Sequence, residues 1–246
     1  MSLSELYQKE RALFGTTTPD FPFIVKLIDA KQKLSVQLHE ADETEGKSKH
    51  EAWVILSAAP GSQIILDSEC RTSNELLNAI EDNSFLEKLN NVSVHAGDVY
   101  SIPAGAIHAI GEGIIIYEIQ QPSDLTYRLH DFIGGRDIHL EEGANAFIPD
   151  AFCSKIIPDD IDENTLLLIM NDYFIVEKIN ACKLQSQFAS DRFLVYTALG
   201  DGSIEGEDCV YKYKTGESFM IPAGHGEFAL NGGELIKSYV PTKFVI

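Results

Sequence analysis

The stretch GDVYSIPAGAIH, Gly97 to His108, returns as GESFMIPAGHGE, Gly216 to Glu227, with Pro103 and Pro222 119 positions apart. Each copy is an apolar, strand-like run interrupted by proline and glycine at the same offsets. Gly97 and Gly105 suit turns with positive φ, and Pro103 stiffens the approach to the second turn. Turns of this kind join short strands, so the recurrence limits the chain to a mainly β architecture built twice. The remaining sequence agrees. FPFIVKLIDA, KLSVQLHE, HEAWVILSA, SQIILDS, GIIIYEIQQ and LTYRLHDF are short β-rich runs in the first part. FIVEKINAC, RFLVYTALGDGSIEGE and ELIKSYV continue the series in the second. Helical spacing is confined to two places. One is the first fifteen residues, with Leu3, Leu6, Leu13 and Phe14 near one face; the other is SNELLNAIEDNSFLEKLNN, where Ser73 is the expected N-cap. GGRDIHLEEGANAFIPDA reads as a loop leading to the second unit. The expectation is two β-barrels, residues 1–145 with an N-terminal helix and residues 146–246.

Composition narrows the function. With 246 residues and 44% hydrophobic content the chain can bury a sizeable core. A net charge of −19 opposes binding to nucleic acid or anionic membranes, which need a basic surface. No apolar run approaches the roughly 18 residues of a membrane helix. The start, MSLSELYQKERALFG, lacks the apolar core of a signal peptide. Four cysteines, Cys70, Cys153, Cys182 and Cys209, show no CxxC spacing and read as reduced thiols, so a cytoplasmic location is expected.

His108 stands where a strand begins after the turn, and a set of partners lies upstream. In SVQLHEADETEGKSKHEAW, Gln37 and His39 are two apart and leave the same face of a strand, while Leu38 points the other way. Glu51 opens the next strand after a turn-rich excursion. An amide oxygen, two imidazoles and a carboxylate from neighbouring strands form a mixed N/O set suited to Zn²⁺, with Mn, Fe or Co as alternatives. Water or substrate would complete the coordination, as in a catalytic rather than a structural site. His50, next to Glu51, faces away, and His95, His130 and His139 offer no usable partner spacing. In the second copy the position matching His108 is Glu227, and His225 is out of register.

Gly-x5-Pro-x-Gly-x2-His resembles the second signature motif of cupins, small β-barrels that hold a metal in the mouth. Together with LSVQLH, KHEAW, IPAGAIHAIGEG and EIQQPSDLTYRLHDF, the chain resembles type I mannose-6-phosphate isomerases of the short bacterial form, from about Leu6 to Val240. The resemblance implies two cupin (jelly-roll) β-barrels with a few short helices, the second degenerate and without metal ligands. It makes Gln37, His39, Glu51 and His108 the ligands of one Zn²⁺. The family's lysine two places before the ligating glutamate falls on Lys49. Its Ser-Asp-x-x-x-Arg segment, beside the sugar-phosphate pocket, falls on Ser123, Asp124 and Arg128. Arg136, eight residues on, is a second candidate phosphate contact.

The implied reaction interconverts mannose 6-phosphate and fructose 6-phosphate through a cis-enediol. Arg128 would bind phosphate or the developing oxyanion bidentately, and Lys49 or Asp124 would transfer the proton. The small phosphosugar is then the partner. Two departures touch the entrance to the site: the family's Trp-Gly-Gly segment has no counterpart, Trp53 being the only tryptophan, and His-Pro-Asp-Asp is replaced by HEAD. A non-catalytic sugar- or metabolite-binding bicupin is the alternative. A cupin oxygenase is a third reading, disfavoured by Gln37.

Overall fold

The computed structural model describes residues 3–42, 46–189, 191–207 and 209–244. The chain divides into two compact units, Ile24–Ile156 and Met1–Phe23 with Ile157–Ile246.

The Ile24–Ile156 unit is a two-sheet sandwich. Its strands are β1 (Ile24–Ala30), β2 (Val36–Leu38), β3 (Glu51–Ala58), β4 (Gln63–Ser68), β5 (Leu89–Ser93), β6 (Val99–Ile102), β7 (His108–Ala109), β8 (Ile114–Gln120), β9 (Tyr127–His130) and β10 (Ser154–Ile156). One sheet runs β1-β8-β3-β6-β10 and the other β5-β4-β7-β2-β9. Alternation along β4 shows how the layers are filled. Ile64 and Leu66 point between the sheets, with Trp53, Ile55, Tyr100, Ile102, Ile114 and Ile116. Ile65 points outward, into a layer with Val36, Leu38, Leu76, Phe85 and Leu129. Each such side chain taken fully out of water contributes about 1.5–3 kcal/mol.

Helix α1 (Leu3–Lys9) belongs to the other unit, whereas α2 (Ser73–Glu81) and α3 (Leu140–Ala146) belong to this one. Leu76 of α2 and Ala146 of α3 join that outward layer. Thr72, not Ser73, caps α2: its Oγ1 accepts from the Glu75 N–H at 3.1 Å. The segment expected to be a loop contains α3. Gly143 lets α3 lie flush on β9, because a Cβ there would stand 2.6 Å from Leu129 Cδ2.

The other unit has β11 (Asp159–Asp162), β12 (Thr165–Met170), β13 (Ile175–Asn180), β14 (Gln185–Ala189), β15 (Leu194–Ala198), β16 (Gly202–Glu205), β17 (Val210–Tyr213), β18 (Ser218–Ile221), β19 (Gly226–Asn231) and β20 (Glu234–Tyr239). The sheets run β11-β12-β13-β20-β15-β18 and β14-β19-β16-β17. Ile179, Tyr196 and Leu235 from the first meet Ala189, Phe228 and Leu230 from the second.

Two expectations are corrected. Among the described residues no sheet closes on itself, so each unit is an open two-sheet sandwich and not a closed barrel. The first 23 residues group with the C-terminal unit rather than with residues up to 145. The reason is aromatic packing that local periodicity does not reveal: Phe193 meets Phe14, Phe21 and Phe23 at ring distances of 5.3, 5.3 and 5.7 Å. The Phe193 N–H donates to Phe14 O, and the Ala223 N–H of the second turn donates to Leu13 O. Tyr7 and Phe14 are buried here, while Leu3 and Leu13 are exposed. No helix among the described residues is long and apolar enough to cross a membrane.

Candidate metal centre

The two-residue alternation of β2 sends Val36 and Leu38 outward into the helical layer and leaves Gln37 and His39 facing the space between the sheets. Gln37 pairs with His108 of β7 on one side and with Arg128 of β9 on the other, which brings those side chains to the same face. Glu51 opens β3 on the facing sheet, opposite Gln120 and Ile102. The turn before His108 is tied to this frame. Gly105 has φ +81° and donates its N–H to His39 O at 2.8 Å; a Cβ on it would collide with Ile148. Glycine is required there both by conformation and by space.

The ligand atoms of His39, Glu51 and His108 lie within 4.8 Å of one another, and all three residues are buried. His39 Nε2 is 3.1 Å from Glu51 Oε1, and His108 Nε2 is 3.6 Å from Glu51 Oε2. On the far side of each ring, Nδ1 faces a backbone carbonyl: Leu125 O at 3.1 Å for His39, Ala106 O at 3.0 Å for His108. A carbonyl requires an N–H opposite it, so these contacts put the proton on Nδ1 and turn the Nε2 lone pairs toward Glu51. Lone pairs then face a carboxylate. Such an arrangement is stable only with a proton or a cation between the partners. Consistently, His39 Nε2 and Glu51 Oε2 have no hydrogen-bond partner.

Electrostatics points the same way. Burial alone would raise the Glu51 carboxyl, but the neighbouring His39, His108 and Lys49 hold it well below the usual carboxylate range. Burial, reinforced by His39, pushes the His108 imidazole down to about 3. The centre therefore offers an ionised carboxylate and a neutral imidazole, the protonation states a divalent metal needs.

The other expected residues fall into three groups. Lys49 joins the cluster: it is buried, and its Nζ is 3.0 Å from Glu51 Oε1. Gln37 joins it with its amide reversed from the expected sense. Oε1 accepts from Ser35 Oγ at 3.1 Å and Nε2 faces His108 Nε2 at 3.4 Å, so a half-turn of the amide would bring the oxygen to the metal position. Arg128 reaches the same face; its Nε is buried without a partner, and no ion pair to it occurs among the described residues.

Ser123 is buried, but its hydroxyl donates to Lys47 O at 2.9 Å, a bond that shapes the loop. Asp124 is exposed. Arg136 is also exposed, and its guanidinium is held by Asp131 in a local loop, whose carboxyl it lowers to about 2. His50 turns away to Ser101 Oγ at 2.9 Å. Positions 43–45 of the excursion before Lys49 lie outside the described residues.

Sequence reasoning missed a second polar group on the same interior. Glu118 of β8 is buried, accepts from Trp53 Nε1 at 3.0 Å and pairs with Lys26 Nζ at 2.8 Å; Lys26 also bonds Gln120. Trp53 in turn meets the His108 ring edge-on at 5.5 Å. Burial and the nearby Glu51 raise the Glu118 carboxyl. A signal was present: Glu118 shares parity with the interior residues Ile114 and Ile116.

In the second unit, Glu227 is exposed, and the inward place opposite Gln187 belongs to Phe228. Gly226, with φ +85°, adds the step that shifts the parity. His225 is exposed.

Comparison with known proteins shows the family. Residues 163–240 match the family model described as mannose-6-phosphate isomerase, cupin domain. The chain is 35% identical to the mannose-6-phosphate isomerase ManA of Bacillus subtilis, over 97% of this chain and 82% of that protein. The crystal structure of the Bacillus subtilis mannose 6-phosphate isomerase superposes with a TM-score of 0.87 at 28% identity, covering 97% of this chain and 82% of that one. A zinc-bound mannose 6-phosphate isomerase shares the fold with a TM-score of 0.75 at 14% identity, covering 98% of this chain and 85% of that one. The chain belongs to the mannose-6-phosphate isomerase family.

Proposed function

We propose that this chain is a metal-dependent aldose–ketose isomerase that interconverts mannose 6-phosphate and fructose 6-phosphate. The observation that carries the reading is the buried donor set His39, Glu51 and His108, with Gln37 beside it, in a chain 35% identical to such an enzyme. Two imidazoles and a carboxylate are a ligand set typical of catalytic zinc, and we take Zn²⁺ as the ion, one per chain. When bound, it supplies Lewis-acid stabilisation of negative charge developing on the sugar's oxygens.

The chain's own residues supply the rest. Lys49 Nζ, buried beside Glu51, would as its neutral amine take the proton from C2 of the open-chain sugar and return it to C1, while a proton passes from O2 to O1 across the cis-enediol. Asp124 is exposed and is the weaker candidate for that transfer. Arg128, with no counter-ion of its own among the described residues, offers a planar pair of donors to the phosphate or to the enediol oxygen. Ser123 holds the loop that leads to Arg128 rather than offering its hydroxyl to substrate. Four free cysteines suit a reducing cytoplasm, the compartment we propose.

The test is turnover of mannose 6-phosphate by protein stripped with chelator and reloaded with Zn²⁺ or Mn²⁺. Activity should vanish on stripping and return with metal. Folded, fully metallated protein without turnover would contradict the proposal.

A further inference from the structure

Arg128 sits on an edge strand. β9 ends its sheet, and its inner neighbour β2 pairs Gln37 with Arg128. Among the described residues no further strand lies beyond β9 to satisfy the outward backbone groups of Arg128. His139 does so instead. The Arg128 N–H donates to His139 Nδ1 at 3.2 Å, and the His139 N–H donates back to Arg128 O at 2.8 Å. One residue thus reproduces the reciprocal bonds of a β-ladder, with an imidazole nitrogen in place of the usual carbonyl.

His139 is itself fixed. It precedes α3 as its N-cap residue, and its carbonyl accepts from the Gly143 N–H at 2.8 Å. α3 lies flush on β9 because Gly143 leaves room for Leu129. The guanidinium of Arg128 has neither an ion pair among the described residues nor a partner for its buried Nε, so its aim depends on where the backbone puts it.

We propose that His139 is a positioning residue for Arg128: its Nδ1, carried on α3, fixes the edge strand so that the guanidinium meets the sugar phosphate. This rests on the isomerase reading above. An edge strand released from this bond can shift by tenths of an ångström, and a misplacement of about 1 Å costs on the order of 100-fold in rate.

The test compares kcat/KM of metal-loaded wild type, His139→Ala, His139→Asn, Arg128→Ala and the double variant His139→Ala/Arg128→Ala. Bound metal and thermal midpoint serve as folding controls. Asparagine places an oxygen acceptor where Nδ1 stands, whereas alanine removes the acceptor. His139→Ala should lose roughly 10-fold, and His139→Asn should stay within about 3-fold of wild type. In the Arg128→Ala background the histidine substitution should cost nothing further, because the group it positions is gone.

Three outcomes overturn the proposal: an alanine variant as active as wild type, losses that multiply in the double variant, or an asparagine variant as impaired as alanine while metal and melting are unchanged. A wild type that turns over no mannose 6-phosphate would instead contradict the isomerase reading, and this inference with it.

Discussion

The two sandwiches place the same turn in the same frame and point different chemistry inward. Ile102, just before the first turn's proline, pairs with Glu51; Ile221, just before the second, pairs with Leu194. Gln37 pairs with His108 in the first unit and Gln187 with Phe228 in the second, and two residues on stand His39 and Ala189. Glutamine is retained, while the histidine, glutamate and histidine of the first become alanine, leucine and phenylalanine, all buried in the second core. Gln187 now accepts from Tyr196 Oη at 3.2 Å.

The flanking ion pair is kept with its charges exchanged. Trp53 pairs with Glu118 and Glu118 with Lys26, whereas Tyr196 pairs with Lys237 and Lys237 with Glu177. Both pairs are close, at 2.8 Å and 2.5 Å. The frame holds either a cluster of candidate metal ligands or a hydrophobic plug at the same position, and in both units the flanking charges are paired.

The sharpest way to break this comparison is to remove ligands. Glu51→Ala should lose bound metal and lower kcat/KM by more than about 100-fold, and Leu194→Ala should leave both within about 3-fold. Metal titration with the isomerase assay reads both.

Exchanging the flanking charges comes next. Lys26→Glu with Glu118→Lys removes the acceptor of Trp53 Nε1 beside the metal centre and should lower kcat/KM by on the order of 100-fold. Glu177→Lys with Lys237→Glu, in the unit without a ligand set among its described residues, should change it less than about 3-fold.

Stability tests the same comparison. Leu194→Glu buries a carboxylate with no partner and should cost about 3 kcal/mol or more by urea denaturation. Glu51→Leu in metal-free protein copies the second unit at that position but strips the buried Lys49 of its carboxylate partner, so it should cost a comparable amount.

The smallest effect is in pH. His108 titrates near 3 in the folded protein against 6.5 when unperturbed, so the unfolded chain gains a proton that the native state refuses. Metal-free protein should therefore lose stability as pH falls below 6.5, by at most about 1.4 kcal/mol per unit from this group. Glu51, depressed in the folded state, adds loss in the same direction below 4.5. His108→Phe, copying Phe228, should remove the histidine's share between 6.5 and 4.5 in urea titrations.

The legibility of the two halves also differs. Gln37, His39, Glu51, Lys49 and His108 were readable because strand alternation and the turn motif are local rules, and the fold brings all five together. Glu118 and Lys26 escaped notice as single charges in apolar runs, although their parity marks them as inward-facing. Phe228 was hidden by one glycine with positive φ, which moved the alternation by one position. The assignment of the first 23 residues could not be read locally, since Phe14 and Phe193 meet across most of the chain's length.

The most direct test of the account is the metal content of the purified, Zn²⁺-saturated chain, measured by elemental analysis on wild type, Glu51→Ala and Leu194→Ala. The account predicts one ion per chain in wild type and in Leu194→Ala, and none in Glu51→Ala. Two ions in wild type, or one that survives the loss of Glu51, would contradict it.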